Sequence, residues 1–176
     1  MGIIFPEFKY FNIFSKLNLE AKNILNENDF IFLICLLIID DTDNTDYFLY
    51  KFKISKKNQK RIKNIDNFYK EKITSNTFTE KNMNKIFYYK GKEALIDILN
   101  FRVLKIKKRD QNLMELINKY KNKTVPIMPV KADILMSKFN IPEGKVLGDK
   151  LKIIEDEWVK NNFQISDKQV ENIIKN

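Results

Sequence analysis

The sequence predicts an all-α protein: an irregular helical bundle with a small C-terminal helical subdomain. Three observations carry that prediction. Apolar residues recur at three- and four-residue spacing in segment after segment, no stretch sustains the alternation of a half-buried strand, and short polar residues suited to capping precede the periodic runs. A chain of 176 residues is long enough to bury a real core, as one domain or as two small ones.

The elements follow in order. A first helical segment runs from about Asn18 to Ile39 through Leu19, Ile24, Leu25, Phe30, Ile34 and Leu37. Its apolar stretch from Phe30 to Ile39 falls well short of the roughly twenty residues that cross a bilayer, so it reads as buried core. The polar run Asp-Asp-Thr-Asp-Asn-Thr-Asp at 40 to 46 ends it as a turn, and a short piece from Tyr47 to Phe52 leads to Ser55. Ser55 suits the N-cap of a helix reaching about Lys72, with Ile62, Ile65, Phe68 and Tyr69 on one face. Lys53, Lys56, Lys57, Lys60 and Lys63 form a basic stripe on another.

Thr79 is placed to cap a further stretch through Met83, Phe87, Leu95 and Leu99, bent or interrupted near Gly91. A basic patch from Arg102 to Arg109 follows, and Asp110 opens a helix to about Lys121. The two prolines of Thr-Val-Pro-Ile-Met-Pro-Val (124 to 130) exclude a helix interior, so the expected boundary separates a body, 1–123, from a tail, 124–176. In the tail, helices are expected from about Lys131 to Phe139 and from about Gly144 to Asn161. A last one begins at Ser166, whose spacing to Gln169 is that of a capping box.

Composition removes most catalytic classes. With no His, a Ser/His/Asp or Cys/His triad and a His-containing zinc site are excluded, and one Cys rules out a disulfide framework. Four glycines, at 2, 91, 144 and 148, make no glycine-rich phosphate loop. The chain opens without a basic, apolar signal sequence, which with the single Cys suggests a reduced, cytoplasmic protein with no membrane partner. The net charge of +9 invites a nucleic-acid partner, but only Arg61, Arg102 and Arg109 among the 32 basic residues are arginine. Ile, Asn and Lys dominate throughout, as an AT-rich genome imposes, so the placement of the lysines matters more than their number.

Two placements stand out. The stripe from Lys53 to Lys63 reads either as a solvated helix face or as a phosphate-tracking surface. The turn Ile141-Pro-Glu-Gly-Lys145, with Gly148 one helical turn on, offers free amides at Gly144 beside Lys145 as a phosphate cradle, or else marks a helix crossing that needs two small residues. Asp41-Thr-Asp43 has the spacing of a two-magnesium site, yet it follows a helix and lacks both a strand and a glycine loop, so it reads as a solvated connection.

The stretch Pro129-Val-Lys-Ala-Asp-Ile-Leu135, then Phe139-Asn-Ile-Pro-Glu-Gly-Lys-Val-Leu-Gly-Asp-Lys-Leu151, then Ile154-Glu-Asp-Glu-Trp158 and Asn162-Phe163 resembles the C-terminal signature of bacterial CCA-adding enzymes (tRNA nucleotidyltransferases) and the related poly(A) polymerases. Ala132 and Asn140 stand where that family commonly has Gly. Upstream, Ile4-Phe-Pro-Glu7, Ile31 to Ile39, Ile54-Ser-Lys-Lys-Asn-Gln-Lys-Arg61 and Gly91-Lys-Glu-Ala-Leu-Ile-Asp97 are similar to segments of the same region. The family's catalytic head carries a glycine phosphate loop, an Asp-x-Asp metal pair and a nucleotide-selecting element; none of these is found here as the head has it, since Asp41-Thr-Asp43 lies in the wrong region to stand in for the metal pair.

The resemblance therefore implies a helical RNA-binding body and tail without its own active site. It would bind tRNA or another RNA and position the 3′ end for a catalytic head that is not in this chain, the chain being either an excised half or a subunit of a split enzyme with a separately encoded head. Mg2+ and nucleoside triphosphates would belong to that head, and this chain would carry no cofactor. Lys53, Lys56, Lys57, Lys60 and Lys63 would contact the backbone, with Gly144, Lys145 and Lys131 as a phosphate cradle. The alternative is a non-catalytic remnant of a fragmented gene or a protein-interaction module. An active stand-alone enzyme would have to draw metal chemistry from the Asp40 to Asp46 loop.

Overall fold

Polar side chains between apolar runs decide where several helices of this protein begin. A computed structural model describes residues 7–8, 14–15, 17–71, 74, 77–106 and 110–175. Ten α-helices and no strand occur among them, so the fold is all-α. The helices form two units, Met1–Thr74 with Lys92–Lys123, and Ser75–Gly91 with Thr124–Asn176.

In the first unit the expected helix from Asn18 to Ile39 is two helices, α1 (Leu19–Glu27) and α2 (Phe30–Ile38). Asn28 and Asp29 between them are extended. The Asn28 side-chain amide donates back to the Ile24 carbonyl at 2.7 Å, and the Asp29 carboxylate accepts from the Phe32 amide at 3.1 Å. Two adjacent short polar side chains thus close one helix and open the next, an option that apolar periodicity does not register.

Helix α2, Phe-Ile-Phe-Leu-Ile-Cys-Leu-Leu-Ile, has no polar side chain, and most of it is buried. The sequence predicted a turn after it, but α3 (Asn44–Lys51) starts within the polar run and includes the short piece expected from Tyr47. Asn44 is buried there because its amide donates to the Ile38 carbonyl at 2.7 Å, serving the open end of α2. Helix α4 (Lys56–Lys70) starts behind Ser55 as expected and ends two residues before Lys72, which lies outside the described residues. Thr45 on α3 donates to Asp66 on α4 at 2.9 Å, and Lys70 donates to the other oxygen of Asp66 at 2.9 Å. Helices α6 (Lys92–Lys105) and α7 (Gln111–Lys121) complete the unit, with Asp110 capping α7 through the Leu113 amide.

Arg61 holds these helices together. Its Nε and Nη2 donate to the two oxygens of Asp97 on α6 at 2.6 and 3.0 Å, while Nη1 donates to the Asp29 cap of α2 at 2.6 Å. Burial pushes the Asp97 carboxyl up against the opposing pull of Arg61. At Asp29 burial also raises the carboxyl, but the Phe32 amide and Arg61 outweigh it and leave it below the usual range. One planar guanidinium therefore joins α2, α4 and α6, a geometry that a point charge cannot reproduce.

In the second unit, α5 (Glu80–Tyr89) joins α8 (Ala132–Phe139), α9 (Lys145–Lys160) and α10 (Asp167–Lys175). The expected body, 1–123, included α5; in the structure α5 lies against α9 instead. Tyr88 and Tyr89 donate at 2.7 Å each to Glu155 and Asp156, and Asn84 donates to Asn162 at 2.8 Å. Burial, then the Glu155 partner, pushes the Tyr88 phenol up to about 12. Gly91, at φ +91°, supplies the left-handed turn between α5 and α6 and separates what the spacing joined.

Asn140 caps α8 in the left-handed region at φ 52°, a backbone that asparagine tolerates better than most residues with a side chain. Helix α9 ends in a Schellman arrangement, with Asn162 at φ 57° and the Phe163 amide donating to the Trp158 carbonyl at 2.8 Å. The Phe163 ring lies edge-on to Trp158 at 5.1 Å, and Tyr88 lies edge-on to Trp158 at 5.3 Å. Ser166 and Gln169 form the expected capping box, in which the Ser166 amide donates to Gln169 at 2.9 Å and the Gln169 amide to Ser166 at 3.3 Å. Leu135, Leu147, Ile154 and Val170 form one buried cluster of this unit, and Met83, Phe87, Trp158 and Val159 are buried in the unit as well.

Replacing Arg61 by Ala leaves Asp97 buried and charged without its partner, and is expected to lower the unfolding free energy in urea by about 3 kcal/mol. Arg61→Lys is expected to recover only part of that. A loss below about 1 kcal/mol for Arg61→Ala would show that the helices do not depend on it.

Candidate nucleic-acid interface

The basic stripe is a property of α4 as a helix. Ile62, Ile65, Asp66 and Phe68 bury one arc of it. At 100° per residue, Lys56, Lys60 and Lys63 fall together on the opposite arc with Lys57 at its edge, and Lys53 lies just before the Ser55 cap. All five lysines are exposed. Among the described residues, Lys63 alone of the five pairs with a carboxylate, Asp46 at 3.1 Å, with both side chains more than half exposed. Such a pair contributes little, so the stripe keeps most of its positive field. Arg61, in the same basic run, turns inward and belongs to the core.

Of the basic residues in the other patch only Arg102 and Lys105 lie among the described residues, and neither is exposed. Lys105 is drawn under the end of α2, where its ammonium donates to the Ile39 and Leu36 carbonyls at 3.1 and 3.3 Å. Burial pushes the Lys105 amine down to about 8, against the raising influence of Asp40 and Asp41. Arg102 is partly buried, and Lys107, Lys108 and Arg109 lie outside the described residues, as do Ile4 to Pro6 of the upstream resemblance.

At the turn before α9, Gly144 stands at the N-cap with φ 149° and no capping side chain, so the first amides of α9 face outward. Lys145 is exposed beside them. Gly148 is exposed on the same side, and a Cβ added there meets no atom within 4 Å. The expectation of a helix crossing at these two glycines finds no neighbouring helix to support it. Lys131 is exposed at the N-cap of α8, a helix length of about 12 Å from the turn that carries Gly144, so it stands apart from Lys145. The stripe belongs to the first unit and the turn to the second.

Two aspartates of the acidic run, Asp40 and Asp46, are tied to neighbouring groups. Asp40 is buried and accepts from the Thr42 amide and hydroxyl at 2.9 and 2.5 Å, Asp43 precedes α3, and Asp46 pairs with Lys63. Among the described residues no group of three or more His, Cys, Asp or Glu is placed to hold a metal ion. Nor, among the described residues, is any helix long and apolar enough to cross a membrane.

Because Lys105 loses its proton more easily folded than unfolded, the unfolded chain binds more protons between pH about 8 and 10. Lys105 is thus expected to make stability rise with pH across that window. Urea midpoints of Lys105→Met against the parent chain should show the rise reduced in the variant.

No curated protein and no solved structure shows a match to the chain. A family model for tRNA nucleotidyltransferase domain 2 matches residues 23–173. That span takes in both the α4 stripe and the Gly144 turn, together with the helices that present them, and the chain belongs to this tRNA nucleotidyltransferase domain 2 family.

Proposed function

We propose that this chain binds tRNA, or another folded RNA, and positions its 3′ end for a nucleotidyltransferase head that lies outside these residues. The observation that carries this reading is the exposed lysine arc of α4, almost free of carboxylate partners, in a chain of a tRNA nucleotidyltransferase family. Lysines one helical turn apart follow a phosphate backbone by charge and shape, which is how folded RNA is held. Lys53, Lys56, Lys57, Lys60 and Lys63 make the backbone contacts. Gly144 and Lys145 receive a phosphate at the open end of α9, and Lys131 contributes a more distant charge. Mg2+ and nucleoside triphosphates belong to the head, and CCA or poly(A) addition is decided there.

The affinity for tRNA, followed by fluorescence anisotropy, is expected to fall steeply with salt. The double variant Lys56→Ala/Lys60→Ala should flatten the slope of log K against log salt by about two, one for each lysine. Salt-independent affinity, or no binding at low salt, would defeat the reading. Mixing the chain with a separately made head and assaying nucleotide addition to tRNA tests the positioning role.

Gly148 provides an independent check. With open space above its Cα, Gly148→Ala should raise helix stability by about 1 kcal/mol. If an RNA backbone comes close there, the same change weakens tRNA binding while the thermal midpoint rises. Unchanged binding would remove the turn from the interface.

A second reading, a protein-interaction module, draws on Val146 and Ile153, two exposed apolar residues two turns apart on α9. It predicts self-association on size-exclusion chromatography that is insensitive to RNA.

A further inference from the structure

Helix α3 buries Asn44, Thr45 and Phe48 and leaves a face of Asp46, Tyr47, Tyr50 and Lys51 toward solvent. Tyr50 is 90% exposed and Tyr47 54%, so neither ring owes its place to the core. They are three residues apart and therefore neighbours on the helix surface. The contacts between α3 and α4 show which way this face looks. Thr45 meets Asp66, and Asp46 meets Lys63. Tyr50 lies one turn beyond Asp46 on the same face of α3, so the Asp46–Lys63 pair ties the face that carries the rings to the lysine stripe of α4. Asp46 is already matched there by Lys63.

We propose that Tyr50, with Tyr47 beside it, is a stacking platform for an unpaired base of the RNA whose backbone the α4 lysines hold, an inference that rests on the RNA-binding reading above. A tyrosine ring offers a flat π-face that any base can cover, and unpaired bases in loops, bulges and single-stranded ends are what RNA-binding proteins stack on aromatic side chains. The surroundings favour RNA over a protein partner. Protein interfaces are depleted in lysine, whereas here the face that carries the rings is linked through Asp46 and Lys63 to a stripe of exposed lysines. Lysine holding phosphates with an aromatic taking the base is the division of labour of single-strand binders.

The test uses the full chain and two labelled RNAs, a blunt, fully paired duplex and the same duplex with a single-stranded extension, at low salt. Tyr50→Ala is expected to weaken the extended RNA about tenfold and leave the duplex unchanged. Tyr50→Phe, which keeps the ring, should bind both as the parent does, and the exposure of Tyr50 predicts unchanged thermal midpoints. Lys56→Ala/Lys60→Ala should weaken both RNAs. The platform is overturned if Tyr50→Ala binds the extended RNA at parental affinity, if it weakens both RNAs equally, or if it changes only the oligomeric state. In those cases the lysine variants still report on the RNA-binding reading. If the parent chain binds neither RNA, both ideas fall together.

Discussion

Helix α2 is apolar on every side, and such a helix can be buried only if other parts of the chain satisfy its end groups. Its side chains reward burial, but the peptide groups at its two ends would each cost on the order of 1–3 kcal/mol if left dry and unpaired. The first unit is arranged around that constraint. Asp29 closes the amide end and is held by Arg61, and Asn44 and Lys105 serve the carbonyl end. Each partner comes from a different helix, so satisfying α2 also fixes α3, α4 and α6 around it. Arg61 does this twice over, because the fork that reaches Asp29 also binds both oxygens of Asp97.

The same constraint explains why the outer face of α4 is left to solvent. Arg61, Ile62, Ile65 and Asp66 are committed inward, to Asp97, the core and Thr45. What remains on the opposite arc are lysines without internal duties. The second unit repeats this economy in another form. The far end of α9 is closed by a Schellman turn, an edge-on Trp158–Phe163 pair and two tyrosines from α5, whereas its near end, at Gly144, is left open. A helix anchored at one end presents its free amides at the other, which is the geometry an anion needs.

Local signals were the most legible part of the sequence. Ser55, Asp110 and the Ser166 and Gln169 pair mark helix starts because a cap is made by residues two or three apart and needs nothing from the rest of the chain. Asn28 and Asp29 carry the same kind of signal, yet the apolar periodicity on both sides hid the break between α1 and α2. Helix α3 was obscured for a related reason. Its aspartates and asparagine suit a turn in isolation, and Asn44 becomes a helical, buried residue only because the Ile38 carbonyl is there to accept from it. Had α3 been read as a helix, the spacing of Tyr47 and Tyr50 would have marked an outward aromatic face. Lys105 looked like one of several surface cations, since nothing in a run of lysines tells which will be pulled under a neighbouring helix.

By itself, the amino-acid order determined an all-α chain, the start of most helices, the lysine arc of α4 and the family pattern that ends at Trp158 and Phe163. All of these are set by spacings within a single helix or turn, where backbone geometry alone fixes what is near what. Only the tertiary structure decided that Arg61 turns to Asp97 while Lys60 and Lys63 face solvent, that α5 belongs with α9, that Lys105 is drawn under the end of α2 and that Tyr47 and Tyr50 are exposed on α3. Those outcomes depend on which distant groups meet. An isolated helix has no preference between a lysine that caps another helix and one left in water until the other helix is in place.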